Sequence, residues 1–168
     1  MPTQVKSWLR ETGSLTQRIK QTFAGNFSVE LKGEAIDKPF KQDQACVGEV
    51  SFQRAFIREV VLKVNAIPYV FARTTVPISS LRGLQKLSKL GTRPLGEVIF
   101  SYPDLKREQL DFAKLKRSQL SAEALLLIGS SATIWARRNT YVINGNRLIV
   151  CEFFVSNMFE GFYENTLK

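Results

Sequence analysis

Residues 133–155, TIWARRNTYVINGNRLIVCEFFV, decide the fold. Two runs rich in β-branched and aromatic residues flank Asn144-Gly145. An Asn-Gly pair between such runs is the strongest short-range hairpin cue, because both turn positions need positive φ. Strands over Thr133 to Ile143 and Arg147 to Val155 are therefore predicted. A second hairpin is predicted from Arg54–Val64 (RAFIREVVLKV) and Tyr69–Val76 (YVFARTTV), joined by NAIP. Pro77 ends it, since proline cannot donate to a ladder. Further out, Phe27 to Leu31 alternates as a strand does, while Lys32 to Glu49 is polar, carries Gly33, Pro39 and Gly48, and reads as a long loop. Val5, Trp8, Leu9, Leu15, Ile19 and Phe23 predict two short helices around Gly13-Ser14, the second capped by Ser14 or Thr16. Leu81, Leu84, Leu87 and Leu90 predict an amphipathic helix capped by Ser79 or Ser80 and closed by Gly91. After a short run at Glu97–Phe100, the charged stretch from Pro103 to about Leu120 reads as helix, followed by an apolar patch at Ala122–Ile128 and a polar tail from Glu160. Strands with helices grouped between them predict an α+β fold, a single antiparallel β-sheet with helices packed on one face.

At 168 residues and 44% apolar composition, one domain over 1–168 is expected. The N-terminus lacks the apolar run of a secretory signal, and no stretch is long enough to span a bilayer, so a cytoplasmic protein without stable membrane insertion is expected. Cys46 and Cys151 are the only cysteines and are read as buried small apolar residues rather than a disulfide. The net charge of +9 raises the possibility of nucleic acid as a partner, but the basic residues are scattered, and helix-spaced groups such as Arg82, Lys86, Lys89 and Arg93 read as a solvated face. No nucleic-acid partner is expected. The same excess charge would concentrate a small dianion near a cleft. Histidine is absent altogether. Ser/His/Asp and Cys/His catalysis and most zinc sites are thereby excluded, and any acid or base must be a carboxylate, Lys, Tyr or Cys.

Two charged residues interrupt apolar strands. Glu152 shares its strand face with Leu148, Val150 and Phe154, so its carboxylate is predicted to point into the core. Arg73 shares a face with Phe71 and Thr75. One reading pairs the two with each other or puts one of them on an exposed edge. The other has the sheet hold a cationic fork and a carboxylate in one apolar cavity, suited to a small aromatic or pre-aromatic acid. The residue pattern leaves both open.

Read in order, SWLRETGSLTQRI, FIREVVLKVNAIPYVFARTTVP, LGTRPLGEVIF and IWARRNTYVINGNRLIVCEFF, the chain resembles the chorismate pyruvate-lyase family over nearly its whole length. RTTVP, TRPLG and WARR with the following ExF strand are the most specific pieces. The resemblance implies a sheet of about six antiparallel strands, a likeness to chorismate lyase, a monomer, no cofactor and a product site sealed by flaps. It implies a lyase that converts chorismate to 4-hydroxybenzoate and pyruvate, the first step of ubiquinone or plastoquinone ring synthesis. It assigns the substrate-binding and catalytic residues to Arg73 and Glu152, with backbone N–H groups of Leu15 and Leu95 as further contacts. Arg137 or Arg138 is expected to face the second carboxylate of the substrate. The alternative is a noncatalytic small-molecule-binding domain of the same fold, as in effector domains of bacterial transcription regulators. Against it, the chain opens directly on the domain, where no DNA-binding helix-turn-helix is expected to precede it. The chain departs from the family between Phe100 and Trp135, where it is longer around KLKRSQLSAEALLLIG. That departure bears on the lid and on product release.

Overall fold

A computed structural model of the chain describes residues 1–46, 54–128 and 133–159. Its strands are β1 (Phe27–Asp37), β2 (Ala55–Val64), β3 (Ile67–Pro77), β4 (Lys106–Lys116), β5 (Thr133–Ile143) and β6 (Asn146–Phe154). They form one antiparallel sheet in the order β1-β2-β3-β6-β5-β4. The helices are α1 (Thr3–Leu9), α2 (Leu15–Thr22), α3 (Lys41–Cys46), α4 (Ile78–Leu81), α5 (Leu95–Ile99) and α6 (Ala122–Leu127).

Both predicted hairpins form. β5 and β6 pair without a register shift from Ile143↔Asn146 to Trp135↔Phe154, around Asn144 and Gly145 at φ 48° and 75°. The β2–β3 turn is tighter than the expected NAIP loop: Asn65 and Ala66 alone make it, both left-handed at φ 51° and 64°. Tyr69 is then the extra residue of a bulge, because Lys63 pairs with Pro68 but Leu62 pairs with Val70.

The central strands are apolar on both faces, and each face is covered. On one, here the near face, Val60, Leu62, Ala72 and Phe154 pack against Trp8, Leu9 and Ile19 from α1 and α2. Further along that face Val76, Ile143 and Leu148 pack against Leu84, Leu87, Leu90 and Ile99. On the far face Val61 and Phe71 meet Ala124 of α6. The helix pair at the N-terminus is as predicted, with the Ser14 hydroxyl accepting from Gln17 N at 3.3 Å as the N-cap of α2.

Several expectations need correction: helices were expected on one face only, but α6 packs on the other, and α4 starts after Pro77 with no capping bond from Ser79 or Ser80. The loop expected over Lys32–Glu49 is in its described part the second half of β1 followed by α3; a bulge at Lys32 and full exposure on the sheet edge remove the apolar alternation that marks a strand. The charged helix expected from Pro103 to Leu120 is mainly β4, the other edge strand, whose charges guard an unpaired edge instead of solvating a helix. The leucine-rich helix breaks into α4 and a 3₁₀ turn at Gln85–Lys89, although Leu84, Leu87 and Leu90 are buried as expected and Gly91 is left-handed at φ 55°. The tail expected to fray, Glu160–Lys168, lies outside the described residues.

A left-handed alanine is strained where glycine is not, by roughly 1 kcal/mol. Ala66→Gly is therefore expected to raise the urea midpoint at unchanged slope, against the usual destabilising effect of glycine in a chain. A lowered midpoint would show that the turn relaxes in another way.

Candidate active site

Between the two near-face clusters the sheet leaves a small cavity of about 50 Å³. Its floor is Val60, Leu62, Ala72 and Val150, and its polar groups include Arg58 of β2, Thr74 of β3, Arg137 and Tyr141 of β5, and Glu152 of β6. Register explains their convergence. Arg58 pairs with Thr74, Thr74 with Val150, and Val150 with Asn139, so this row and the row Ala72, Glu152, Arg137 share the near face. The roof comprises the N-terminal ends of α2 and α5, with Leu15, Thr16, Leu95 and Gly96 over the opening. The two ends meet closely: a Cβ on Gly96 would stand 2.9 Å from Ser14 Oγ. Lys20 and Glu97 bridge the same pair of helices at 3.2 Å on the surface.

Arg58 is 1% exposed. Its Nη2 donates to the carbonyls of Gly91 at 2.8 Å and Arg93 at 2.9 Å, and Glu34 Oε1 stands 3.5 Å from its Nε. Burial draws its pKa below the usual value, with Glu34 opposing. Arg137 is 2% exposed. Its Nε donates to Glu152 Oε2 at 2.5 Å, while Nη1 donates to the carbonyls of Trp8 (3.2 Å), Leu9 (3.4 Å) and Glu11 (3.0 Å). Burial disfavours its charge, but the Glu152 carboxylate outweighs that and holds the pKa above its usual value. Asn139 Nδ2 also donates to Glu152 Oε2, at 3.2 Å. Burial pushes the Tyr141 phenol up, with the Glu152 charge adding to it, and its oxygen accepts from Arg107 Nη2 at 3.1 Å. Arg107 Nη2 also donates to the Glu11 carbonyl at 3.0 Å, so two arginines tie the N-terminal segment down beside the cavity.

Of the residues expected from the sequence, Glu152, Leu15 and Leu95 line this cavity together. Arg73 does not, and this is a correction. It pairs with Cys151, and Ala72 with Glu152, so Arg73 leaves the sheet on the far face. There its Nη1 donates to Glu59 at 2.6 Å and its guanidinium lies 4.0 Å from the Phe40 ring centre. Arg137 is the inward member of the pair Arg137 and Arg138; Arg138 faces away and bonds Asp111 at 3.1 Å. Cys151 is free and half-buried, its thiol 3.9 Å from Asp43 Oδ1; the side chain of Cys46 lies outside the description. The longer segment before Trp135 sits, in its described part, against Val61, Phe71 and Phe153 on the far face, away from the roof it was expected to alter. Sequence reasoning missed Arg58, Asn139 and Tyr141. Arg58 stands beside Glu59 in sequence and looks like half of a surface pair; its strand parity with Val60 and Leu62 was the available signal.

The chain matches the family described as "Chorismate lyase" over residues 1–162. It belongs to that family. A protein of Methylococcus capsulatus named "Probable chorismate pyruvate-lyase" is 33% identical over 152 residues, covering 90% of this chain and 94% of the relative. One of the same name from Halorhodospira halophila is 36% identical over 159 residues, with 94% and 84% covered. Among solved structures, the effector domain of PhnF from Mycobacterium smegmatis aligns with a TM-score of 0.61 at 15% identity, covering 88% of this chain and 91% of that one. The C-terminal domain of the histidine utilization repressor from Pseudomonas syringae aligns at 0.60 and 12% identity, with 79% and 94% covered. At such identities these likenesses show the fold alone. The cavity of this chorismate lyase family member thus lies on a fold shared with those two domains.

Two outcomes follow from this geometry. Gly96→Ala is expected to displace the Ser14 hydroxyl from its capping bond and cost about 1 kcal/mol, the usual worth of an N-cap. In a Ser14→Ala background the same change should cost little, which denaturant titration of the four proteins of the cycle will check. On the far face, burial raises the Asp43 carboxyl pKa despite nearby Arg138 and Arg73. The native state then holds this proton more tightly than the unfolded chain, so stability declines as pH climbs from the usual carboxyl value of 3.8 through the raised folded value. Asp43→Asn removes that decline. Its stability relative to the parent should improve between pH 3.5 and pH 7, and an equal difference at both pH values would contradict the burial argument.

Proposed function

We propose that this protein is a lyase converting chorismate to 4-hydroxybenzoate and pyruvate. The carrying observation is one cavity, in a chain of the chorismate lyase family, that sets a carbonyl-anchored arginine against a buried carboxylate. Arg58 and Glu152 lie two strands and two residues apart on the same face, so their Cα atoms are roughly 12 Å apart by ordinary sheet spacing. The two side chains line one cavity together, as groups that meet the two ends of a small ring would.

Chorismate carries a ring carboxylate, a 4-hydroxyl and a C3 enolpyruvyl ether. In this reading Arg58 receives the ring carboxylate, the role the resemblance assigned to Arg73, with the N–H groups of Leu15 and Leu95 beside it at the first turns of α2 and α5. Glu152 then meets the hydroxyl end. The C3–O bond breaks with its electron pair going to the enolpyruvyl oxygen. The C4–H pair becomes the new ring π bond, and the C4 proton ends on the enol methylene to give pyruvate. Glu152 assists that proton movement. Aromatisation drives the reaction and no electron is exchanged, so the protein needs to orient, exclude water and move one proton. We assign it as a cofactor-free, cytosolic, monomeric enzyme supplying the first aromatic ring of quinone synthesis. A noncatalytic sensor of a small acid is the second reading, favoured by the likeness to effector domains.

Purified protein mixed with chorismate in EDTA buffer is expected to release 4-hydroxybenzoate and pyruvate in equal amounts; binding without turnover would support the sensor. Arg58→Lys should weaken 4-hydroxybenzoate binding by about tenfold or more, the effect of losing a charge-assisted bond. Arg73→Lys should leave that affinity near the parent value, and the reverse ranking would return Arg73 to the site. Glu152→Gln should keep product affinity yet lose about a hundredfold in single-turnover rate. Parent rates in a folded Glu152→Gln protein would make Glu152 a structural partner only.

A further inference from the structure

Arg137 carries a second, separate potential for an anion. Its Nε serves Glu152 and its Nη1 serves three backbone carbonyls, but Nη2 has no hydrogen-bond partner among the described residues, although the side chain is 1% exposed and lines the cavity. Arg58 repeats the pattern at the other end, with Nη2 on two carbonyls, Nε 3.5 Å from Glu34 Oε1 and no hydrogen-bond partner for Nη1 among the described residues. Two buried guanidiniums, each steadied by backbone dipoles and each with donors to spare, face a single cavity. Donors that a held guanidinium keeps beside a cavity are placed to meet the oxygens of an anion there.

We infer that the site is ditopic for a dicarboxylate, with Arg137 Nη2 receiving the enolpyruvyl carboxylate while Arg58 holds the ring carboxylate. The inference rests on the lyase reading above and extends it. Substrate geometry supports the choice: the ether at C3 neighbours the hydroxyl at C4, so the cation for the second carboxylate must neighbour the group that meets the hydroxyl. Arg137 is bonded directly to Glu152. Arg138 is on the far face and Arg107 does not line the cavity. Loss of the enolpyruvyl group leaves the monoanion 4-hydroxybenzoate, which no longer engages Arg137.

Two stable aromatic ligands that differ in this one charge provide the test: 3-(carboxymethoxy)-4-hydroxybenzoate and its amide, 3-(carbamoylmethoxy)-4-hydroxybenzoate. Calorimetry on the parent protein should show the acid binding about tenfold or more tighter than the amide, the size of one charge-assisted bond. In Arg137→Met the ratio should fall to about two or less, while Arg138→Met should preserve it. A disturbance of the roof, which both ligands share, cancels in the ratio; the unpaired Glu152 charge does not, so the ratio is also compared between Glu152→Gln and the Glu152→Gln/Arg137→Met double variant, where it should again fall to about two or less. If Arg137→Met does not fold, Arg137→Lys takes its place; one ammonium cannot serve Glu152, the carbonyls and a ligand together, and the ratio should drop at least about threefold. A ratio near one in the parent, or a ratio untouched by the Arg137 variants, overturns the inference. Failure of the lyase reading is seen separately, as absence of 4-hydroxybenzoate when the parent meets chorismate.

Discussion

The Arg137 side chain is the constraint on which the near face depends. Its guanidinium joins β5 to β6 through Glu152 and to the end of α1 and the residues after it through three carbonyls, at a place where both charges are largely buried. A buried ion pair of this kind is weak as a source of net stability, because desolvation consumes most of the Coulomb gain, but breaking it leaves an uncompensated charge in the core. The pair therefore acts as a register pin. It fixes which way Glu152 points and holds the chain from Trp8 to Gly13 so that α2 begins over the cavity. Glu11 extends the same pin: its carboxylate accepts from Gly13 N at 2.8 Å and from Arg18 at 3.0 Å, and although burial opposes ionisation these partners hold its pKa below the usual range.

Strand parity decides what the sequence could reveal. Along β5 and β6 every pair from Ile143↔Asn146 to Trp135↔Phe154 keeps one register, so counting by twos from an obvious Asn-Gly turn put Glu152 on the correct face. Along β2 and β3 the same count fails by one residue. Without the bulge at Tyr69, Arg73 would stand opposite Arg58 and share its face; with it, Arg73 stands opposite Glu59 and leaves on the far side. A bulge has no strong local signature here, since Pro68-Tyr69 reads equally well as loop or strand. The motif RTTVP was recognisable and its strand was correct, but the side of the sheet it faced was not legible.

The edge strands failed for a different reason. β1 beyond Leu31 and most of β4 bury little, so neither offers the apolar alternation that identifies a strand. What they show instead is charge: Lys32, Glu34 and Asp37 on one edge, Lys106, Lys114 and Lys116 on the other. Such residues keep a free edge from pairing with another chain, and in isolation they carry the propensities of a solvated helix. The core strands are thus read from hydrophobic demand, and the edges are read only once the sheet is known to end there.

The contrast between the buried arginines explains how a common scaffold can present an anion site on one face and a structural network on the other. Arg73 meets a full carboxylate at 2.6 Å, and Arg138 meets Asp111 at 3.1 Å, so much of their charge is answered within the protein. Arg58 is instead fixed by the carbonyls of Gly91 and Arg93, with the partly exposed Glu34 farther off. A carbonyl dipole orients a guanidinium without cancelling its charge, and in a low-dielectric cavity the remaining field is large. Gly91 makes this possible, because its left-handed turn at φ 55° brings two carbonyls of one short loop to the same nitrogen. Backbone anchoring leaves Arg58 more positive potential for a ligand than full pairing with a carboxylate would, and at Arg137 three carbonyls share the guanidinium with Glu152. By that criterion the near face is the one equipped to draw a small acid from water, and the far face is equipped to hold the sheet to its covering helices.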